Sequence, residues 1–363
     1  MKKLFVLALV LLLMSMALIG CGGEEAVGDE PEDNEEVVDG NDEQDEDEEE
    51  EAIAEGSIAL VGLGHNISIA RSRGMSDDQT AQAQADVTVA AVGFEEDGTI
   101  VSVSIDVAQT RVAFDEEMQV SSDKDALVPS KKELGDDYNM KRVSGIDKEW
   151  YEQIEALEEW MIGMNIEDVL AMDLEEGNVS EDMDLSSSVT ITVTSYLAAV
   201  EEAWENAVEA NGAETVGLGL ETYINRSRDA SDEQTAQAQV DTYVSATAFD
   251  ADGNIVTTLI DVAQVRVVFD EEGQVAADLE AELRTKKELG DEYGMLPRSE
   301  IEKEWYEQIE ALEEWMAGQS IEELLGMDLE EGNVPEDNDL SSSVTITVTG
   351  YLSVVENAFN NAR

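Results

Sequence analysis

Two runs of alternating apolar and polar residues flank an Asp-Gly pair early in the chain, and the arrangement returns 155 positions later. Val87, Val89 and Ala91 alternate with Thr88 and Ala90 ahead of Glu96-Asp97-Gly98; Ile100, Val101, Val103 and Ile105 follow with interleaved serines. Period-two patterning around an Asp-Gly turn predicts a β-hairpin, because successive strand side chains point to opposite faces. Tyr243 to Phe249, Asp252-Gly253 and Ile255 to Ile260 predict a second one. Beyond Asp106-Val-Ala-Gln-Thr-Arg111 the period changes. Trp150, Ile154, Leu157 and Met161 recur at helical spacing, with Asp147 placed as an N-cap and Gly163 placed to end the helix. Trp305, Ile309, Leu312, Met316 and Gly318 predict its counterpart. A shorter helix is expected over Ile166 to Met172. Another, with Leu197, Val200, Trp204 and Val208 on one face, is expected to close near Asn211-Gly212. Hairpins first and helices second predict an α+β fold: two tandem homologous domains, each an antiparallel sheet with helices packed against it.

The correspondence runs without insertion or deletion from about Val61 to Val208, pairing Gly62-Leu-Gly64 with Gly217-Leu-Gly219 and Trp150 with Trp305. A period this long is a duplicated domain, since solenoid repeats run about 20–50 residues. The expected organisation is a signal peptide over residues 1–20, a tether over 21–56, and repeats over 57–211 and 212–363. Each repeat is long enough to bury roughly 70% of its unfolded surface without staples.

Lys2 and Lys3 precede an apolar run from Leu4 to Leu18, which ends in Leu18-Ile19-Gly20-Cys21. A short apolar run between lysines and small residues reads as a signal peptide. The Leu-Ile-Gly-Cys string resembles the bacterial lipoprotein signal, which implies lipidation of Cys21 and a mature protein anchored on the extracytoplasmic face of the membrane. Several acyl chains hold a protein firmly where one gives marginal binding. Residues 22–56 contain no Lys, Arg or aromatic residue, and Asp45 to Glu51 is unbroken acid. Such a segment cannot bury enough apolar surface to order itself and is expected to be an extended tether.

The net charge of −66 is not confined to the tether: setting aside the two N-terminal lysines and the 19 acids of residues 22–56 leaves −49 on the repeats. That acidity argues against nucleic-acid binding and fits a saline habitat, where salt screens self-repulsion. Cys21 is the one cysteine and His65 the one histidine, so intramolecular disulfides are excluded. Catalytic triads and His-ligated zinc are absent from at least the second repeat, and no metal site is expected.

Both repeats carry one unusual string, Asp184-Leu-Ser-Ser-Ser-Val-Thr190 and Asp339-Leu-Ser-Ser-Ser-Val-Thr345. It resembles the attachment motif of FMN-binding domains in secreted and lipidated bacterial electron-transfer proteins. That motif runs Asp, two variable residues, Ser or Thr, Gly or Ala, Ala, then Thr or Ser, followed by a helix. Asp184, Ser187 and Thr190, and Asp339, Ser342 and Thr345, take its Asp, Ser and acceptor positions. The resemblance extends loosely over each repeat, through the closing Tyr-Leu-x-x-Val-Glu pattern. Lys-Lys-Glu-Leu-Gly-Asp and the later Lys-Glu-Trp-Tyr-Glu-Gln resemble tandem-domain lipoproteins of clostridia-like bacteria. It implies FMN in each repeat, esterified through its phosphate to Thr190 and Thr345 by a flavin transferase, and an electron carrier between a membrane donor and an outside acceptor. The alternative is a non-redox ligand-binding or scaffold lipoprotein of the same fold. Ser188-Val189 and Ser343-Val344 depart from the motif, because Val narrows the space that a small residue leaves for a phosphate. Val189, Ile191 and Val193 also alternate with threonines as a half-buried strand would.

Arg71-Ser-Arg73, Arg111 and their counterparts Arg226-Ser-Arg228 and Arg266 are the recurring cations. An arginine fork suits an anion; in so acidic a chain it suits a neighbouring carboxylate at least as well. The Gln79-Thr-Ala-Gln82 and Gln234-Thr-Ala-Gln237 amides suit a polar pocket or a strand surface, and the tryptophans at 150, 160, 305 and 315 suit a flavin ring or the core. Gly62-Leu-Gly64 is too short to mark a phosphate loop.

Overall fold

The computed structural model describes residues 57–179, 183–330, 334–336 and 338–363, with only the backbone of Asn338 and Asp339. The expected signal peptide, Cys21 and the acidic tether lie outside these residues. In the first half, β1 (Ile58–Ser68), β2 (Gln82–Phe94) and β3 (Ile100–Ala113) are followed by α1 (Lys131–Leu134), α2 (Trp150–Met161) and α3 (Ile166–Leu170). The short pair β4 (Leu174–Glu175) and β5 (Asn178–Val179), then α4 (Thr194–Glu205) and β6 (Val208–Ala213), complete it. The second half repeats the order with β7 (Thr215–Tyr223), β8 (Gln237–Phe249), β9 (Ile255–Val268), α5 (Lys286–Leu289), α6 (Trp305–Met316), α7 (Ile321–Leu325), α8 (Asn338–Ser341) and α9 (Thr349–Asn360). β2, β3, α1, α2, α3 and α4 recur at an offset of 155 in β8, β9, α5, α6, α7 and α9. All the paired strands are antiparallel, in the orders β3-β2-β1-β6 and β7-β8-β9, and the class is α+β.

Both faces of each sheet are covered. Ala90, Val92 and Phe94 of β2 face α2 and α4 in one apolar core, and Phe249, Ile260 and Val262 face α6 and α9 in another. The opposite faces meet: Val61, Leu63, Val87 and Val89 share a third core with Val216, Leu218, Val240 and Val244. The halves therefore form helix, sheet, sheet and helix layers around a common centre. A pseudo-twofold relates them. The Met75 N–H donates to Gly273 O at 2.9 Å and, symmetrically, the Ala230 N–H to Met118 O at 3.0 Å. Phe114 meets its own counterpart Phe269 edge-on, with ring centroids 4.9 Å apart.

Two helix boundaries differ from expectation. Asp147 is not the N-cap of α2: it sits in a left-handed turn at φ 56°, and the helix starts after Glu149, which forms a reciprocal capping box with Glu152. α4 does not reach Asn211-Gly212. It stops at Glu205, because the following residues pair as β6 with the edge of β1, Val61 opposite Val208. Salt is expected to raise thermal stability, since −49 charges on one compact body repel each other unless screened. A melting temperature flat or falling between 0.1 and about 2 M NaCl, where the Debye length drops from about 10 Å to below 3 Å, would show that self-repulsion does not limit the fold.

Candidate functional site

Asp184 to Ser187 form one 3₁₀ turn and Asn338 to Ser341 the matching α8 turn. Leu185 and Leu340 plug these turns into their cores, and Val189, Val193, Val344 and Val348 are buried after them. The apolar members of the string thus fasten it, and Thr190 faces outward. The segment is not a strand despite its alternation. The Thr190 N–H donates to Gln153 Oε1 at 2.9 Å rather than to a neighbouring strand, and the Thr190 hydroxyl donates to the same oxygen at 3.2 Å. Thr345 binds Gln308 Oε1 in the same way, at 2.9 and 3.3 Å. Gln153 and Gln308 are buried, and their Nε2 groups donate to Ser144 and Ser299, which fixes the oxygen toward the threonine. Ser187 Oγ donates to the Asp184 carbonyl, and the Asp184 carboxylate is exposed. The Asp339 side chain lies outside the described residues. α4 begins four residues past Thr190 with no side-chain cap.

The tryptophans at the head of α2 and α6 are core residues. Trp150 Nε1 donates to the Tyr196 hydroxyl at 2.9 Å, and Trp305 Nε1 to Tyr351 at 2.9 Å, tying each helix to the one after the string. Burial pushes the Tyr196 hydroxyl up to about 12, so it is a neutral partner at any ordinary pH.

The arginines largely decline the carboxylates around them. Arg73 pairs with Gln82 and Arg228 with Gln237; Arg111 donates to Gln84 and Gln109, and Arg266 to Gln239 and Gln264. Of the six recurring arginines, Arg226 alone approaches an acid among the described residues, Asp241 at 4.0 Å. The expectation of arginine–carboxylate pairing holds for Arg226 and is corrected for Arg111 and Arg266: Gln84 and Gln239 stand between, each using its amide N–H groups on Asp86 or Asp241 and its oxygen on the arginine.

His65 on β1 joins the halves. Its Nδ1 lies 3.2 Å from Glu202 on α4, and its Nε2 lies 2.9 Å from Glu288 on α5. The three are near enough to share a metal ion; with a carboxylate already on each ring nitrogen, a doubly protonated imidazole accounts for the arrangement. Burial works against that charge, but Glu288, Glu202 and Asp261 outweigh it and raise the imidazole above its usual value. The pseudo-symmetric positions hold Leu220, Asn357 and Glu133, and there Arg363 reaches across to Glu158 at 2.5 Å instead.

Comparison with protein-family models, with curated proteins and with solved structures returns no match. Sequence reasoning named Thr190 and Thr345 but missed Gln153, Gln308, Lys131 and Lys286. The glutamines gave no signal because a polar residue on an amphipathic helix reads as solvent-facing. The lysines lay in the Lys-Lys-Glu-Leu-Gly-Asp run that both repeats share.

Proposed function

We propose that the protein is a lipid-anchored, extracytoplasmic flavoprotein, with one FMN per half attached through its phosphate to Thr190 and Thr345. It would pass electrons between a membrane donor and an acceptor outside. The observation that carries this reading is the duplicated setting of one hydroxyl: outward-facing in the first half and partly so in the second, its backbone pinned by a buried glutamine. No acceptor is seen among the described residues for the Thr194 and Ser195 N–H groups at the head of α4, a donor set that suits a phosphate. In the loading step a flavin transferase would join threonine Oγ1 to the FMN phosphorus of FAD and break the pyrophosphate bond. AMP leaves, and the hydroxyl proton passes to the transferase. The flavin supplies the redox chemistry, and the protein sets its position and exposure.

Co-expression with a flavin transferase should add two FMN units by intact mass. Thr190→Ala and Thr345→Ala should each remove one, and the double variant should be colourless. An unmodified mass under conditions that load a known FMN-binding domain would favour a second reading, a ligand-binding or scaffold lipoprotein. The buried Val189 and Val344 speak for that second reading, since they fill space that the motif's small residues would leave open.

A further inference from the structure

Lys131 and Lys286 are the most deeply placed lysines among the described residues, 8% and 6% exposed. Each ammonium lies over two aromatic rings: Lys131 Nζ is 5.1 Å from the Tyr138 centroid and 5.0 Å from that of Trp150, and Lys286 repeats this over Tyr293 and Trp305. Among the described residues neither ammonium has a hydrogen bond or an ion pair, although the chain carries 86 acids. The adjacent lysines behave differently, since Lys132 and Lys287 bind Glu158 and Glu313 at 2.6 Å. A buried charge without a counter-ion is costly, and ring faces replace only part of the lost hydration. Burial accordingly lowers both Lys131 and Lys286 to about 8.

Lys131 opens onto a cavity of about 400 Å³, whose walls include Arg111, Gln109, Asp137, Tyr138, Met140 and Val143. Arg111 is held by glutamine oxygens and keeps its charge unneutralised. Val143, 84% exposed, makes the rim apolar. In the second half the same positions are Lys286, Arg266, Gln264, Tyr293 and Met295, with Arg298 in place of Val143.

We propose that this cleft in each half binds an organic oxyanion, a carboxylate or phosphate on a flat apolar body, with Lys131 and Arg111, or Lys286 and Arg266, on the anionic group. The ligand supplies the counter-charge that the protein withholds, and the aromatic and methionine side chains cover its body. Glutamines in place of carboxylates around the arginines keep the positive charge available inside a strongly negative molecule. The inference stands apart from the flavin reading, whose test is a covalent mass on Thr190 and Thr345.

Calorimetric titration of the full chain with benzoate, at constant ionic strength and pH 7, tests it. Two sites per chain are expected. Lys131→Met, which keeps the stem over the rings, and the exposed-site change Arg111→Gln should each weaken the first-half site by about 10-fold or more. Raising the pH to 9.5 should weaken both sites, because the lysines lose their protons. The other groups facing Lys131 are Asp86, Asp106, Asp137, Arg71, Arg111 and Tyr138. Inorganic phosphate should bind more weakly than benzoate; equal binding would remove the apolar body from the proposal. No benzoate binding by the folded protein, or binding that neither substitution changes, would overturn it.

Discussion

Gly64→Ala is expected to cost about 4 kcal/mol or more and to lower the melting temperature by roughly 10 °C. A Cβ there would stand 2.0 Å from Ala199 O and 2.4 Å from Ala203 N, both backbone atoms of α4. Gly62 is as tight against Ala203 O, at 1.8 Å, and Gly217 and Gly219 repeat the contact with Ala358 O and Val354 O at 1.8 and 1.7 Å. Rotamer changes cannot relieve a clash with backbone, so the helix must lift off the strand and open the core beneath it. Gly145→Ala is the control, because nothing lies within 4 Å of the added carbon and its φ is ordinary. Thermal melts of the four strand variants that stay within a degree or two of the parent would refute the close strand–helix packing.

His65→Leu is expected to destabilise the protein by about 2 kcal/mol at pH 6 and by much less at pH 9. The magnitude is below the roughly 3–5 kcal/mol of a fully buried broken pair, because Glu288 is 37% exposed and can turn into water. Leu is the residue already present at the related position 220. Glu288, Glu202 and Asp261 hold the folded imidazole's pKa above the ordinary histidine value, against the effect of burial. Its contribution is therefore complete below about pH 6.5 and disappears as pH rises through the folded value. Glu288 has the opposite sense: burial pushes it up, but the His65 hydrogen bond and the Thr285 N–H outweigh that and lower it. Its contribution is lost as pH falls through its folded value, which places the latch's optimum between the two. Lys131 and Lys286, lowered to about 8, and Glu313, raised to about 7 by burial, also make stability depend on pH. They are shared by both proteins and cancel in the difference. A gap between parent and variant that stays constant from pH 6 to 9 would mean that His65 is not the charged member.

The Asp-Gly turns, the strands around them and the Trp150 and Trp305 helices were legible because each rests on a local period that burial on one side imposes. Asp147 failed as an N-cap because capping depends on which residue first enters helical geometry, and a left-handed turn delays that to Glu149. The string from Asp184 to Thr190 was legible as important but not as a shape. Its valines do face the core and its threonines the surface, yet the Thr190 backbone hydrogen bond goes to Gln153, 37 residues earlier. Gly62-Leu-Gly64 gave a pattern without a meaning until α4 was seen lying against it.

The sequence by itself determined the duplication, the α+β class, the hairpins, the amphipathic helices and the excess of negative charge, because each is written in short-range pattern or composition. The tertiary structure alone decided that the helix-free faces of the two sheets meet in one core, since alternation shows that a face is apolar and not what covers it. It alone placed His65 between carboxylates of both halves, and gave glutamines rather than acids to Arg73, Arg111, Arg228 and Arg266. The His65 pairings join positions 137 and 223 residues apart, and the arginine pairings turn on which of several polar groups lies within a few ångströms; such distances are fixed only when the layers pack.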